Sequence, residues 1–181
     1  ISYKHKGKPP KYLKKSLQRE ISHRDSAILG FFKLASDEDL ILLSDLDEIP
    51  NPKTISKAIK KKFDCPHYFK MDWFLYWINN KVSNPWFGTV LFRFKYLKGN
   101  SLDNLRYASS KEQDVPGPII NNGGWHFSYL GGYEAIINKL KSHPFQGFKV
   151  QFAIILDKLK IRGIKNTVKK NKDMFFQKRD L

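Results

Sequence analysis

The stretch "LILLSDLDEIPNP", residues 40–52, places three carboxylates directly after a short apolar run. The four residues 40–43 are all apolar, which is typical of a strand buried inside a parallel sheet. Pro50 and Pro52 then interrupt the backbone. A buried strand that ends in polar residues predicts an α/β domain whose functional loops lie at strand ends.

The 181-residue chain is strongly basic, with 33 lysines and arginines against 17 acidic residues and a formal net charge of +16. Its length fits one domain with a real core, and we expect a single domain over residues 1–181 with a basic, helical part from about residue 133. The charge indicates anionic partners such as nucleotides, nucleic acid or an anionic membrane. The single Cys65 excludes an internal disulfide framework.

Hydrophobic periodicity predicts the other elements. Spacings of three and four residues predict helices, and alternation of aromatic and polar residues predicts strands. The segment 99–118 has loop chemistry, and a strand interrupted by a glycine turn is predicted before residue 133. The predicted helices are 12–35, 53–62 and several after 133, and the predicted strands are 40–43, 67–77 and 88–97.

Asp45 and Asp47 follow the apolar strand at a spacing of two residues. In a strand this spacing directs both carboxylates to the same side. Two carboxylates so close repel each other unless a cation or a proton lies between them, and Mg²⁺ or Mn²⁺ accepts such oxygens while leaving positions for phosphate. The alternative is a solvated turn or acids at a helix N-terminus. Because D-x-D alone is a weak motif, the strand upstream is what favours metal binding.

Two enzyme classes place D-x-D after a buried strand. Nucleotide-sugar glycosyltransferases use it to hold a metal on the donor diphosphate, whereas haloacid-dehalogenase-type phosphatases use the first aspartate as nucleophile and the second as acid and base. The phosphatase pattern has Thr or Val two residues after the second aspartate. Here Ile49 stands two residues after Asp47, so the phosphatase is the less favoured interpretation.

The stretch "NNGGWHFSYLGGYE", residues 121–134, is the second unusual one. Gly123 and Gly124 allow a sharp turn or close approach of backbone to a ligand. Trp125 offers a flat face for stacking, and His126 could complete a metal site or donate to a phosphate. The alternative is a histidine fixed in a turn with aromatic residues filling the core.

Taken together, "LLSDLDEIPNP" and "GGWHFSYLGGYEAI" resemble glycosyltransferase family 17. This family includes enzymes that add N-acetylglucosamine in β-1,4 linkage to the core mannose of N-glycans, and many microbial members. The resemblance continues through "NPWFGTVLFRF" and upstream to "QREISHRDSAILGF", so it covers most of the chain. D-x-D-E-I-P followed at long range by G-W-H-x-S is far more specific than D-x-D alone.

The resemblance implies a GT-A-like nucleotide-diphospho-sugar transferase fold, a UDP-sugar donor (UDP-N-acetylglucosamine), a divalent metal (manganese or magnesium) and inversion at the anomeric carbon. Asp45 and Asp47 match the family's metal and diphosphate motif, with Glu48 beside it. His126 matches the G-W-H histidine, for which we infer a role as third metal ligand or phosphate donor. GT-A domains usually begin with a strand and loop that hold the base, and we expect this N-terminal strand/helix unit to be missing here.

Inverting transfer needs charge neutralisation on the leaving diphosphate and a base for the acceptor hydroxyl. Arg24 is a candidate for the first task, although an ordinary surface arginine is an equally good interpretation. Glu134 and Glu48 are the candidates for the base, with Asp72 and Asp114 left open. Each of these acids could also be an ordinary surface or capping residue.

Trp86 and Trp125 are the candidates for binding the glycan acceptor, or alternatively they pack in the core. The lysines of residues 139–178 suggest peripheral contact with an anionic membrane, although a solvated helix face explains them too. A nucleic-acid-binding module is the non-enzymatic rival, but no recognised motif supports it and we expect no specific nucleic acid. The lysine-rich composition favours a cytoplasmic location or the inner face of a membrane, or the Golgi lumen in a eukaryote.

Overall fold

The computed structural model describes residues 14–62, 64–106, 111–142 and residue 155. None of the helices in these residues is long and apolar enough to cross a membrane. Short 3-10 helices cover Ala27–Gly30, Phe94–Leu97 and Glu112–Asp114. The helices and strands are α1 (Lys14–Ser26), β1 (Leu40–Leu43), β2 (Glu48–Pro50), α2 (Pro52–Ala58), β3 (His67–Leu75), β4 (Trp86–Arg93), α3 (Leu102–Leu105), β5 (Ile119–Ser128) and α4 (Gly132–Ser142).

The local sequence explains where several elements begin and which face they bury. Asn51 caps α2 by accepting a hydrogen bond from the backbone N–H of Lys53, with Pro52 as the first helical residue. Helix α4 begins at Gly132, and both this glycine and Gly131 before it have positive φ. From Phe69 onward β3 alternates, with Phe69, Met71, Trp73 and Leu75 buried and the residues between them more exposed; Tyr68, before this run, is buried as well.

The five strands form one sheet in the order β1-β4-β3-β5-β2. The pair β3/β5 is parallel, and the other neighbouring pairs are antiparallel. The predicted α/β class is therefore confirmed, while the GT-A-like arrangement stays a prediction. The interpretation of residues 40–43 as a strand buried in a parallel sheet was wrong, because β1 pairs antiparallel with β4 at the end of the strand order and Leu42 is 37% exposed.

The two strands at the ends of the sheet, β1 and β2, are joined by only residues 44–47. In a flat sheet the outer members of five strands lie roughly 19 Å apart, at about 4.8 Å per neighbouring pair. The connection is instead a tight turn, in which the backbone N–H of Glu48 donates to the carbonyl of Asp45 at 3.0 Å. The sheet must therefore curl until its two ends meet, and β2 accordingly also contacts β4.

Strand β5 runs without interruption through the position where a glycine turn was predicted. A bulge lies there instead, because Ile120 pairs with Phe69 while Gly124 pairs with Met71, so three residues of β5 oppose one of β3. Gly124 has φ +133, and a Cβ on this residue would lie 2.1 Å from the carbonyl oxygen of Ile49. Glycine is thus required where β2 lies against β5.

Three apolar clusters hold the helices on the sheet. Helix α4 packs Ile136 and Leu140 against the end of β3, and α2 packs Ala58 against its middle. The predicted helix 12–35 ends earlier, at Ser26, and continues as a 3-10 turn. Part of the predicted loop 99–118 is helical, as α3. The helices expected beyond residue 142 lie outside the described residues.

Candidate active site

The acidic turn, defined as residues 44–47 with Glu48, lies at the junction of β1 and β2 and is surrounded by cationic side chains. Asp45 Oδ2 lies 2.6 Å from Arg106 Nη2 and 3.7 Å from Arg24 Nη2. Asp47 Oδ2 lies 2.6 Å from Lys139 Nζ. Asp45 and Asp47 occupy a turn and not a strand, so the predicted period-two geometry was wrong. Within the described residues, their negative charge is balanced by side chains from three separate parts of the chain.

Glu48 is enclosed beneath this turn, with a side chain that is 0% exposed. Its Oε1 accepts hydrogen bonds from Arg106 Nη2 at 2.6 Å and from the Trp86 indole N–H at 2.7 Å. Its Oε2 accepts from the Thr89 hydroxyl at 3.0 Å and from the backbone N–H of Asp45 at 3.2 Å. A base must reach the acceptor hydroxyl, and this carboxylate reaches no surface. We therefore assign Glu48 a positioning role and not that of the base.

Gly88 makes room for the Glu48 carboxylate. A Cβ at this position would lie 1.9 Å from Glu48 Oε1 and 2.5 Å from the indole nitrogen of Trp86. Neither neighbour can retreat easily, because both belong to the hydrogen-bonded group just described. The glycine in "NPWFG" is therefore needed because any side chain at this position would overlap the buried Glu48 carboxylate.

His126 lies on the same side of the sheet as Glu48, and its side chain is 7% exposed. Its ring stacks on Trp86 with centroids 4.5 Å apart and an interplanar angle of 13°. Nε2 lies 2.7 Å from the Ser128 hydroxyl, which accepts from the indole N–H of Trp73 at 3.1 Å. Nδ1 lies 3.7 Å from Asp47 Oδ1 and has no hydrogen-bond partner within the described part of the chain. A buried nitrogen without a partner, directed at a carboxylate, points to a ligand.

Burial lowers the pKa of His126 to about 4, and the nearby Lys139 and Arg106 act in the same direction, against the opposing effect of Asp47. The imidazole is therefore neutral near pH 7, as a metal ligand must be. Burial also raises the pKa of Asp45, with Glu48 adding to the shift and Arg106 opposing it. The site thus places a neutral imidazole, that of His126, beside the carboxylates of the acidic turn.

Arg24 brings α1 to the acidic turn. Besides Asp45, it pairs with Asp103 of α3 and with Glu20, at 3.2 Å, one turn earlier in its own helix. Burial by itself would lower the pKa of this guanidinium, but the three carboxylates together raise it. Arg24 is therefore a fixed cation at the site.

The residues fit a divalent cation only as a partial site. Within the described residues, no group of three or more histidine, cysteine, aspartate or glutamate side chains is arranged to hold a metal. Asp47 Oδ1, in the turn, and His126 Nδ1, on β5, are two possible ligands 3.7 Å apart, and the nitrogen has no hydrogen-bond partner among the residues that the structure describes. Magnesium-type ions are commonly held by one or two protein ligands together with substrate phosphates. Such a site would be completed by a phosphorylated ligand.

The other predicted site residues lie at different depths. Trp86 is partly buried between Glu48 and His126, and its role in acceptor binding stays a prediction. Trp125, beside His126 on β5, is 38% exposed. Glu134, in the first turn of α4, is exposed, as are Asp72 and Asp114.

Two of the cations around the acidic turn, Arg106 and Lys139, were not predicted from the sequence. Arg106 follows α3 within a segment interpreted as a loop, and its side chain is only 5% exposed. The sequence signal that pointed to such a cation was Glu48, at the start of a strand. If an acid in that position is buried, it requires a cationic partner from elsewhere in the chain. Lys139 carries no such signal, since it is one of several lysines along the C-terminal part of the chain.

One known protein family matches this chain. The sequence model of Glycosyltransferase family 17 matches residues 1–178. No curated protein and no solved structure matches the chain. The family match spans both motifs that form the site, and it establishes a glycosyltransferase that uses a sugar donor and an acceptor. The chain therefore belongs to glycosyltransferase family 17.

Proposed function

We propose that this glycosyltransferase moves N-acetylglucosamine from UDP-N-acetylglucosamine onto a glycan or lipid-linked saccharide, with inversion and with the help of manganese or magnesium. The observation that carries the proposal is the convergence, at one end of the curled sheet, of two aspartates, three cations and His126 Nδ1, which has no hydrogen-bond partner among the described residues. A GT-A-like fold and a location in the cytoplasm or at the inner face of a membrane are parts of the same proposal.

The cations suit a nucleotide diphosphate. Arg24, Arg106 and Lys139 now neutralise the acidic turn. Arg24 and Lys139 can exchange a carboxylate for a phosphate oxygen, while Arg106 stays on the buried Glu48 and adds a fixed positive charge. Lys139 is the most exposed of the three, at 40%, so it can move to an incoming ligand most easily. Fixed cations at the leaving diphosphate stabilise the negative charge that grows as the sugar departs.

Asp47 and His126 would hold the metal, with Asp45 next to them. When bound there, the ion would add Lewis-acid neutralisation of the leaving diphosphate. His126 can present a lone pair at Nδ1 when Nε2–H donates to the Ser128 hydroxyl, an arrangement that the 2.7 Å contact allows. Stacking on Trp86 holds the ring in this orientation.

Inversion requires the acceptor oxygen to attack the anomeric carbon from the face opposite the diphosphate. The new carbon–oxygen bond forms as the bond to the phosphate oxygen breaks, UDP leaves with the bonding electrons, and the hydroxyl proton passes to a base. Glu134 is our candidate, because it is exposed at the start of the helix that also carries Lys139.

The test is donor turnover measured as UDP release from UDP-N-acetylglucosamine, with manganese or with EDTA, followed by time-resolved NMR assignment of the anomer that forms first, before mutarotation mixes the two anomers. We expect release that requires manganese, a β-configured product, and loss of release in Asp47→Asn. Asp64→Asn, which changes an exposed acid between α2 and β3, is the matched control and should resemble the wild type. Release that persists in EDTA, or an α-configured product, would contradict the proposal.

A further inference from the structure

An elongated groove runs along α2 and β5, away from the acidic turn. It consists of two adjoining cavities of about 590 and about 430 Å³. Both are lined by Thr54, Lys57, Asn121 and Asn122, so they are continuous, and we call them together the α2–β5 groove. Neither the two aspartates of the acidic turn nor His126 lines it.

The bulge in β5 forms one wall of this groove. It moves Asn121 and Asn122 out of the regular ladder with β3, and Asn122 adopts φ +54. The wall is fixed to α2 and its cap, because the Thr54 hydroxyl donates to the carbonyl of Asn122 at 2.8 Å and the backbone N–H of Asn51 donates to that of Gly123 at 2.9 Å. The asparagine side chains are exposed, so their amides can donate and accept hydrogen bonds.

The chemistry of the groove is that of a saccharide site. Trp125, 38% exposed, offers an indole face at one end, and Asp72 is its register partner on β3. A flat aromatic face packs against the C–H face of a sugar ring, while amides donate to and accept from its hydroxyls and carboxylates accept from them. A concave surface with one aromatic platform and several polar groups is the usual form of a small-molecule site.

The other wall is cationic. Lys53, Lys57 and Lys61 are four residues apart along and just beyond α2, and each lines one or both cavities. All three are exposed, and none forms an ion pair with a described residue. The other charged residues of the wall, Lys70 and Asp72, are already in ion pairs of 2.7 and 2.8 Å. The groove therefore has an excess of positive charge for a ligand to neutralise.

We propose that the α2–β5 groove binds an acidic saccharide, a sugar chain that carries carboxylate or phosphate groups, as the part of the acceptor beyond the sugar that reacts. Trp125 and His126 are consecutive on β5, so the backbone at one end of the groove continues directly into the candidate active site, with the two side chains on opposite faces of the strand. The proposal rests on the proposed function only in treating this saccharide as part of the acceptor. Binding of the saccharide itself requires neither nucleotide nor metal.

The test is calorimetric titration of the whole chain with an oligogalacturonate hexasaccharide, in the absence of nucleotide and metal. Lys53→Gln/Lys57→Gln removes two charges from the groove wall and should raise Kd by about tenfold, or about 1.4 kcal/mol. Lys60→Gln/Lys62→Gln removes the same charge just outside the groove and should change Kd by less than about twofold. Trp125→Ala should abolish binding while the melting temperature stays near that of the wild type.

An equal loss of affinity in the two double lysine variants would overturn the proposal, because it would show diffuse attraction to a basic surface. Binding of neutral chitohexaose as tight as that of the acidic chain would also overturn it, as would absence of oligogalacturonate binding. Inorganic phosphate serves as a further probe, and binding as tight as that of the hexasaccharide would exclude saccharide recognition. If UDP-N-acetylglucosamine fails to bind while the groove pattern holds, the proposed donor is wrong and the groove stands.

Discussion

Replacing Arg106 by methionine should destabilise the fold more than most substitutions of a charged residue. The guanidinium lies 2.6 Å from both Asp45 and Glu48, and its side chain is 5% exposed. Methionine fills much of the same volume but leaves the fully enclosed Glu48 carboxylate without a cation. The carboxylate keeps its hydrogen bonds from Trp86 and Thr89, which soften the effect without supplying charge.

Breaking a buried pair by removing one partner costs roughly 3–5 kcal/mol. That is a large part of the roughly 5–15 kcal/mol that stabilises a typical domain. With a urea m-value of about 2 kcal/mol/M, the midpoint of urea unfolding should fall by about 2 M. Urea denaturation followed by tryptophan fluorescence measures this shift directly.

The companion variant Arg106→Met/Glu48→Gln removes the unpaired charge as well, so it should recover about half of the lost stability. Two results would refute the reasoning. One is a loss below about 1 kcal/mol in Arg106→Met, the range of an exposed ion pair. The other is a double variant less stable than the single one, which would show that Glu48 is not held as a buried anion.

Three further predictions concern other parts of the site. Gly88→Ala should destabilise the protein by about 1–3 kcal/mol because its Cβ overlaps a buried carboxylate, whereas Gly30→Ala, with no atom within 4 Å of its Cβ, should leave the melting temperature nearly unchanged. His126 is protonated near pH 6.5 in the unfolded state but only near pH 4 in the folded state. The free energy of unfolding should therefore fall by roughly 3 kcal/mol as the pH drops from 6.5 to 4. In urea titrations, His126→Gln should show a shallower dependence of this free energy on pH. Lys139→Met should cost no more than about 1 kcal/mol, because its pair with Asp47 is partly exposed, yet it should weaken UDP binding measured by calorimetry; unchanged UDP affinity would contradict its assignment to the diphosphate.

Local sequence patterns predicted the elements that bury one face. The alternation in β3 was visible because burial of one face leaves a periodic trace in the sequence, whereas β1 was visible only as a continuous apolar run. The partner of each strand was not visible, since a run of apolar residues is equally suited to a central and an outer position. The curl of the sheet follows from the short connection between β1 and β2, but only after their places at opposite ends are known.

The sequence predicted the part of the candidate site that lies within the two motifs. Asp45, Asp47 and His126 stood out because acids after a strand and a histidine beside glycines are unusual. Their neighbours Arg106 and Lys139 come from distant segments with ordinary local composition, so only the three-dimensional structure shows that they balance the acidic turn. Charge pairing over such separations leaves no periodic signal.

The central claim is that the acidic turn holds a nucleotide diphosphate together with a divalent cation. Calorimetric titration of UDP-N-acetylglucosamine, with manganese and with EDTA, on the wild type and on Asp45→Asn/Asp47→Asn tests it most directly. We expect binding that requires manganese and is lost in the double variant, whose circular dichroism spectrum should remain that of the folded protein. Equal binding in EDTA, or binding retained by the folded double variant, would contradict it.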